Sequence, residues 1–268
     1  MPRLTVPEHP CFSAEAHKKF GRIHLPVAPA CNLQCAYCDR RCDCPNESRP
    51  GVASAVLTPC EASARTAAAI DREPRLRVAG IAGPGEPLAN PETFETLHLL
   101  RTRFPEMTLC VSTNGLLLPN VLDELIDCGI RTLTITINAV TVQTAGRLYT
   151  QIRYGKKELG AAGVPFLLER QRAGLYAAVD RGLAVKVNTV LVPGVNEAEI
   201  ESVAALAADA GASLMNITPL IPCGQLSCAD SPSAAQLAEA RRIAGRFLPQ
   251  FYHCRQCRAD ACGVPGLE

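Results

Sequence analysis

The chain lacks an excess of charge of either sign. Its 27 basic and 26 acidic side chains leave a formal net charge of +1 over 268 residues. It also has no block of like charge, so nothing in it resembles an arm that tracks phosphates or a helix that lies on an anionic surface; neither nucleic acid nor membrane is expected as a partner. It has no stretch of about 18 consecutive apolar residues, which excludes a spanning helix. The start, Met1-Pro2-Arg3-Leu4-Thr5, lacks the apolar segment of a secretory signal. Internal repeats, low-complexity segments and linkers are missing too. A single domain over 1–268 is therefore expected, with an N-terminal arm at 1–21, a barrel at 22–248 and a tail at 249–268. Apolar residues make up 47% of the chain, ample for one large core.

Cysteine, by contrast, is abundant. Seven of the fourteen fall in two tight groups, Cys31/Cys35/Cys38/Cys42/Cys44 and Cys254/Cys257. The others, Cys11, Cys60, Cys110, Cys128, Cys223, Cys228 and Cys262, are scattered. Clustered thiols without a secretory signal point to metal ligation in a reducing compartment. The expected location is an anaerobic cytoplasm.

Strand and helix signals alternate. Strands are expected at 22–27, 77–82, 108–113, 131–138, 184–192 and 213–218. Thr58-Pro59-Cys60-Glu61 reads as a capping box that opens the first helix. Asn90-Pro91 reads as the cap of the next, which runs to about 103, and Gly129 as the stop of the third. Further helices are expected at 165–181, from Asn196 and Glu199 to Gly211, and at 233–248. Six such repeats argue for an α/β fold with a parallel sheet, here a curved partial (β/α)6 barrel of the TIM type, with an N-terminal arm and a cysteine-bearing C-terminal tail.

Barrels carry their chemistry at the C-terminal strand ends and the loops that follow. That rule selects the cysteine loop after the first strand, Gly83-Pro84-Gly85-Glu86-Pro87 after the second, Ser112-Thr113-Asn114-Gly115 after the third, and Asn138 at the end of the fourth. Lys186 and Asn188 share a face of the fifth strand, as Cys110, Ser112 and Asn114 do on the third. Polar side chains on buried strands need partners, and a polar cofactor in the barrel mouth would supply them.

Cys31, Cys35 and Cys38 form a C-x3-C-x2-C triplet. Three closely spaced thiolates reach three irons of a 4Fe–4S cubane and leave the fourth open. Zinc with Cys42 or Cys44 as a fourth thiolate, or disulfides, are the alternatives. The triplet, with Tyr37 before its last cysteine, resembles the signature of the radical S-adenosylmethionine (SAM) superfamily. That resemblance implies a radical SAM barrel whose open iron chelates SAM. It also implies that Gly83, Gly85 and Glu86 form the glycine-rich loop for the methionyl amine, with Ser112, Thr113, Asn114, Asn138, Lys186 and Asn188 as further cofactor contacts. Alone, Gly-Pro-Gly-Glu-Pro would be a turn.

A closer similarity is to the nitrogenase-cofactor assembly members of that superfamily. It is carried by His9-Pro10-Cys11, residues 22–29, Cys31 through Val52, 80–88, 112–115, 186–196 and Cys254-Arg255-Gln256-Cys257-Arg258-Ala259-Asp260-Ala261. It implies a short form without a C-terminal carrier domain. It also implies fusion of two 4Fe–4S modules into an eight-iron, carbide-centred precursor of the iron–molybdenum cofactor. One SAM would donate a methyl group to a cluster sulfide, and a second would yield the 5′-deoxyadenosyl radical that abstracts hydrogen from it, a lyase-like reaction. By the same resemblance Cys11, His24 and Cys110 hold the first module, and Cys44, Cys254 and Cys257 the second. Cys110, Glu47 and Arg49 are the catalytic candidates, with Glu47 and Arg49 positioning the cluster or relaying a proton. Implied partners are protein donors and acceptors of clusters in nitrogenase assembly and a reductant protein. Read one by one, Cys110 and His24 could equally be core, and Glu47 and Arg49 a solvated turn.

Overall fold

The computed structural model describes residues 4, 6–41, 43–46, 53, 55–254 and 256–267. Strands β1 (Gly21–His24), β2 (Leu76–Ile81), β3 (Thr108–Thr113), β4 (Ile130–Thr136), β5 (Ala184–Leu191) and β6 (Leu214–Pro219) lie side by side in chain order, all parallel. Helices α1 (Pro59–Arg72), α2 (Pro91–Arg103), α3 (Leu118–Asp127), α4 (Val164–Asp180), α5 (Ile200–Asp209) and α6 (Ala234–Ala244) alternate with them. This is the expected partial (β/α)6 barrel. Its main core holds Ile23, Ile81, Val111, Leu133, Val187 and Ile217 from the strands, with Leu97, Leu125, Leu175 and Val203 from the helices.

Local chemistry sets most element ends. Thr58 and Glu61 form the full capping box of α1, and a second box, Ser233 with Gln236, opens α6. Asn90 occupies the cap position of α2, yet its side chain makes no capping bond. Glu199 starts a helix as expected, at the cap position of α5, and its carboxylate also accepts from the backbone N–H groups of Val140 and Thr141 at 2.7 and 3.1 Å. It thereby ties the end of β4 to the start of α5. Between β4 and α4 lies a short helix, Val142–Leu148, followed by strands Tyr149–Tyr154 and Lys157–Glu158. The first of these strands pairs antiparallel with Leu33–Cys35 inside the cysteine loop. The sequence reading contained neither.

The tail binds both edges of the sheet. Pro249 accepts from Met215 N at 2.9 Å and Phe251 donates to Met215 O at 2.8 Å, along β6. Cys262–Gly263 pairs antiparallel with β1. The segment between them, which carries Cys254 and Cys257, therefore runs from the last barrel strand to the first. Both edges that an open sheet would expose are covered by the same strap.

Candidate functional site

Parallel register aligns side chains in rows across the strands. His24, Gly80 and Cys110 are successive partners on β1, β2 and β3. Ser112, Thr134 and Lys186 form the next row on β3, β4 and β5, and Thr136, Asn188 and Asn216 a third. Gly80 keeps a gap open in the first row: a Cβ there would lie 3.4 Å from the His24 ring. His24 and Cys110 face a cavity of about 50 Å³, which Cys11 from the arm and Cys254 and Cys257 from the tail also line. Ser112 and Lys186 reach it from the second row.

His24 is held in a definite tautomer. Its Nδ1 lies 3.0 Å from the carbonyl oxygen of Arg258. A carbonyl only accepts, so Nδ1 carries the proton and Nε2 keeps its lone pair. Burial, with Arg22 nearby, lowers the imidazole pKa to about 3, so the ring is neutral at physiological pH. Burial also pushes the Cys11 thiol up to about 12 despite the pull of Lys186 and Arg22. Loading a metal at such thiols displaces protons.

Cys31, Cys38 and Cys44 line a recess of about 230 Å³ together with Gly85. Cys35 is buried behind them, and burial raises the pKa of all three triplet thiols, to about 11 for Cys38. Every described cysteine is a thiol, with no disulfide among them. Among the described residues no group of three or more His, Cys, Asp or Glu converges as a single metal ion requires. The thiolates of a cubane, in contrast, sit at separate iron corners. Of the residues expected to hold the second module, Cys254 and Cys257 line the cavity of His24, whereas Cys44 lines the recess of the triplet. The two places adjoin: Asp43 accepts from Ala259 N of the tail at 3.4 Å.

The glycine-rich loop is fastened to the residues that precede Cys31. Gly85 N donates to Ala28 O at 2.6 Å and Glu86 N to Ala30 O at 2.8 Å. A Cβ on Gly85 would lie 2.3 Å from Ala30 O, so no other residue fits there without moving backbone. The Glu86 carboxylate is buried and accepts from Leu88 N at 3.2 Å, Asn114 N at 2.8 Å and the Thr113 hydroxyl. Burial outweighs these donors and raises its pKa to about 7. Asn90, read in sequence as a helix cap, clamps the same junction. Its Oδ1 accepts from Ala30 N at 3.0 Å, and its Nδ2 donates to Ala30 O at 2.9 Å and Glu86 O at 2.7 Å.

Three of the other expected cofactor contacts, Asn114, Asn138 and Asn188, are drawn into holding the cysteine loop. Asn138 donates to the hydroxyls of Tyr37 at 2.5 Å and Tyr149 at 3.1 Å and accepts from Val190 N at 2.8 Å. Asn188 donates to Asn46 O at 2.6 Å and accepts from Asn216 at 2.7 Å. Asn114 donates to Asn32 Oδ1 at 2.7 Å. Among the described residues, Asn32 Nδ2 beside Cys31, Ser112 Oγ at the cavity and Asn216 Oδ1 are some of the buried polar atoms left without a partner. Buried groups of this kind are what a polar ligand satisfies, so the donor set and its surroundings fit both a cluster and SAM. Glu47, Arg49 and Cys42 lie outside the described residues.

A curved parallel half-barrel with a C-x3-C-x2-C loop after its first strand defines the class, and a family model agrees. Residues 25–207 match the radical SAM superfamily, and the chain belongs to it. Membership implies a 4Fe–4S cluster and SAM. Within the superfamily the chain is similar to proteins named FeMo cofactor biosynthesis protein NifB. That of Klebsiella pneumoniae is 44% identical over 97% of this chain and 57% of its own length. Those of Azotobacter vinelandii and Chlorobaculum tepidum are 43% and 42% identical over 99% and 98% of this chain and 54% and 63% of theirs. The chain thus spans somewhat over half the length of these relatives. The crystal structure of methylornithine synthase (PylB), 14% identical, superposes with a TM-score of 0.52 over 88% of this chain and 65% of that one, a likeness of fold alone.

Proposed function

We propose that this chain is a cofactor-biosynthesis enzyme of the NifB kind. It would fuse two 4Fe–4S modules, its substrates, into an eight-iron, carbide-centred precursor of the nitrogenase cofactor, with SAM as source of both the carbon and the radical. The observation that supports this best is the meeting of Cys11, His24, Cys110, Cys254 and Cys257 at one cavity. A radical SAM protein acting on a small organic substrate has no use for five metal-binding side chains there. When bound at Cys31, Cys35 and Cys38, a 4Fe–4S cluster supplies the electron that cleaves SAM. The residues do the rest. Gly85 and Glu86 hold the loop that would receive the methionyl end against the backbone before Cys31. His24 offers a neutral Nε2, a more exchangeable ligand than thiolate, which suits a module that must rearrange. Cys11 and Cys110 complete the first set, and Cys254 and Cys257, with Cys44 at the seam, take the second module. Cys110, Glu47 and Arg49 are the residues proposed to act on the reacting cluster. Protein cluster donors, a product acceptor and a cytoplasmic reductant belong to the same reading. Among the described residues no helix is long and apolar enough to cross a membrane.

The test is anaerobic reconstitution. About twelve irons per chain corresponds to three cubanes and about four to the SAM cluster alone. Pulsed electron paramagnetic resonance should show a histidine nitrogen coupled to iron that vanishes in His24→Ala, which should keep the triplet's cluster yet form little eight-iron product. Four irons in the wild type, or full product from His24→Ala, would overturn the reading.

A further inference from the structure

The arm places two further histidines, His9 and His17, at the same cavity, and His9 is the one beside Cys11. His9 is 2% exposed and lines the cavity with His24 and Cys11. Its Nδ1 accepts from the backbone N–H of Cys11 at 3.1 Å. An N–H only donates, so Nδ1 must carry the lone pair and Nε2 the proton. Nε2 is buried and has no hydrogen-bond partner among the described residues.

The two rings therefore present opposite faces to one space. His24 turns its N–H to the tail carbonyl and offers a lone pair; His9 turns its lone pair to the arm backbone and offers an N–H. A lone pair binds iron, and an N–H cannot while the proton stays. It can donate to an anion or to sulfide. A buried donor left without a partner carries a desolvation cost, which a ligand of the right chemistry removes. Buried Arg22 and Lys186 line the same cavity and favour an anionic occupant.

We propose that His9 is a positioning residue that donates its Nε2–H to a sulfide of the iron–sulfur module ligated by Cys11, His24 and Cys110. This rests on the function proposed above. The bond orients the module relative to Cys110. It also stabilises its more negatively charged, reduced form, since hydrogen bonds to cluster sulfur are among the factors that set cluster potentials. Because His9 and Cys11 are two residues apart and joined by the Nδ1 contact, ligand and donor are delivered together when the arm docks.

The test uses the full chain with Cys31, Cys35 and Cys38 replaced by alanine, so that only cavity modules titrate, reconstituted with iron and sulfide. His9→Ala and His9→Gln are compared with His24→Ala. In His9→Ala, iron and acid-labile sulfide should remain at the parent's level. The potential of the cavity module should become more negative, and an exchangeable-proton coupling seen in deuterium-sensitive electron–nuclear double resonance should disappear. The His24 nitrogen coupling should persist. His9→Gln, which keeps an N–H donor, should recover part of the potential and of the proton coupling. An unchanged potential and proton coupling in His9→Ala would overturn the proposal. So would loss of iron equal to that of His24→Ala in both His9 variants, which would make His9 a ligand or a purely structural residue. If the parent takes up no iron at all, the cluster-fusion reading itself falls.

Discussion

Asn90→Ala isolates the contact that joins the glycine-rich loop to the cysteine loop. The carboxamide makes three hydrogen bonds, and their loss is not equal. Ala30 N, on a residue exposed to solvent, would exchange its acceptor for water at a cost of about 0.5–1.5 kcal/mol. Ala30 O would keep its bond from Glu86 N, and Glu86 O its bond from Ala89 N at 3.0 Å, so each would lose about 0.5–1.5 kcal/mol or less. Allowing for non-additivity within one small network, the total is about 1–3 kcal/mol. For a chain of this size that lowers Tm by roughly 2–12 °C. Removing an ordinary helix cap costs about 1 kcal/mol, so Thr58→Ala, which breaks a true capping box, is the control. The assay is chemical denaturation of the cluster-free chain, paired with equilibrium SAM binding by the reconstituted chain. Asn90→Ala should be the more destabilised of the two and should bind SAM more weakly, whereas Thr58→Ala should bind SAM as the wild type does. Equal destabilisation with unchanged SAM affinity would refute the reasoning and return Asn90 to a helix cap.

Gly85→Ala should cost about 1–3 kcal/mol through overpacking, because its Cβ would meet backbone at 2.3 Å, and should impair SAM binding; calorimetry and equilibrium dialysis check both, and a wild-type profile would show that the loop yields freely. Glu86 makes a pH prediction. Its folded pKa is raised to about 7 from the ordinary 4.5, so the folded state holds the proton more tightly, and the resulting stabilisation is complete below 4.5 and lost as pH rises to about 7. Denaturation midpoints of the cluster-free chain should therefore fall across that window relative to Glu86→Gln, and parallel pH profiles would contradict the assignment.

The strand–helix alternation was legible because each element carries local signals. Thr108–Thr113 has the expected bounds, and the capping box at Thr58 forms in full. The first strand ends at His24, before the expected 27, since the chain leaves the sheet at Leu25-Pro26. What was illegible depends on residues far apart in sequence. The strand Tyr149–Tyr154 exists because Leu33–Cys35, more than a hundred positions earlier, is there to pair with it. Asn90 carries the residue type of a cap, and only the approach of Ala30 gives its side chain something better to bind. Polar alternation on β4 and β5 correctly predicted that buried amides need partners. It could not show that for Asn138 and Asn188 those partners are Tyr37 and Asn46 of the cysteine loop. His9 bore no signal of its own beyond its place beside Cys11. Its tautomer is set by one backbone contact that spacing does not reveal.

The tail ties these pieces into one assembly. It contributes Cys254 and Cys257, but it also supplies the Arg258 carbonyl that fixes the proton on His24 Nδ1. The same stretch is anchored by His24 N donating to Ala261 O at 2.8 Å and by Arg65 donating to Asp260 O at 2.8 Å. A neutral imidazole without that carbonyl can place its proton on either nitrogen and can rotate, and only one of those states presents a lone pair to the cavity. Tail docking thus selects the state of His24 that presents a lone pair to the cavity while it brings two thiols to the same space. Because the strap is hydrogen-bonded to β6 at one end and β1 at the other, its displacement would remove both thiols and release His24 together. His9 is fixed independently, by the arm, through Cys11 N. The lone pair at His24 and the N–H at His9 are therefore set from opposite ends of the chain, and both ends must be seated before the cavity presents the two together.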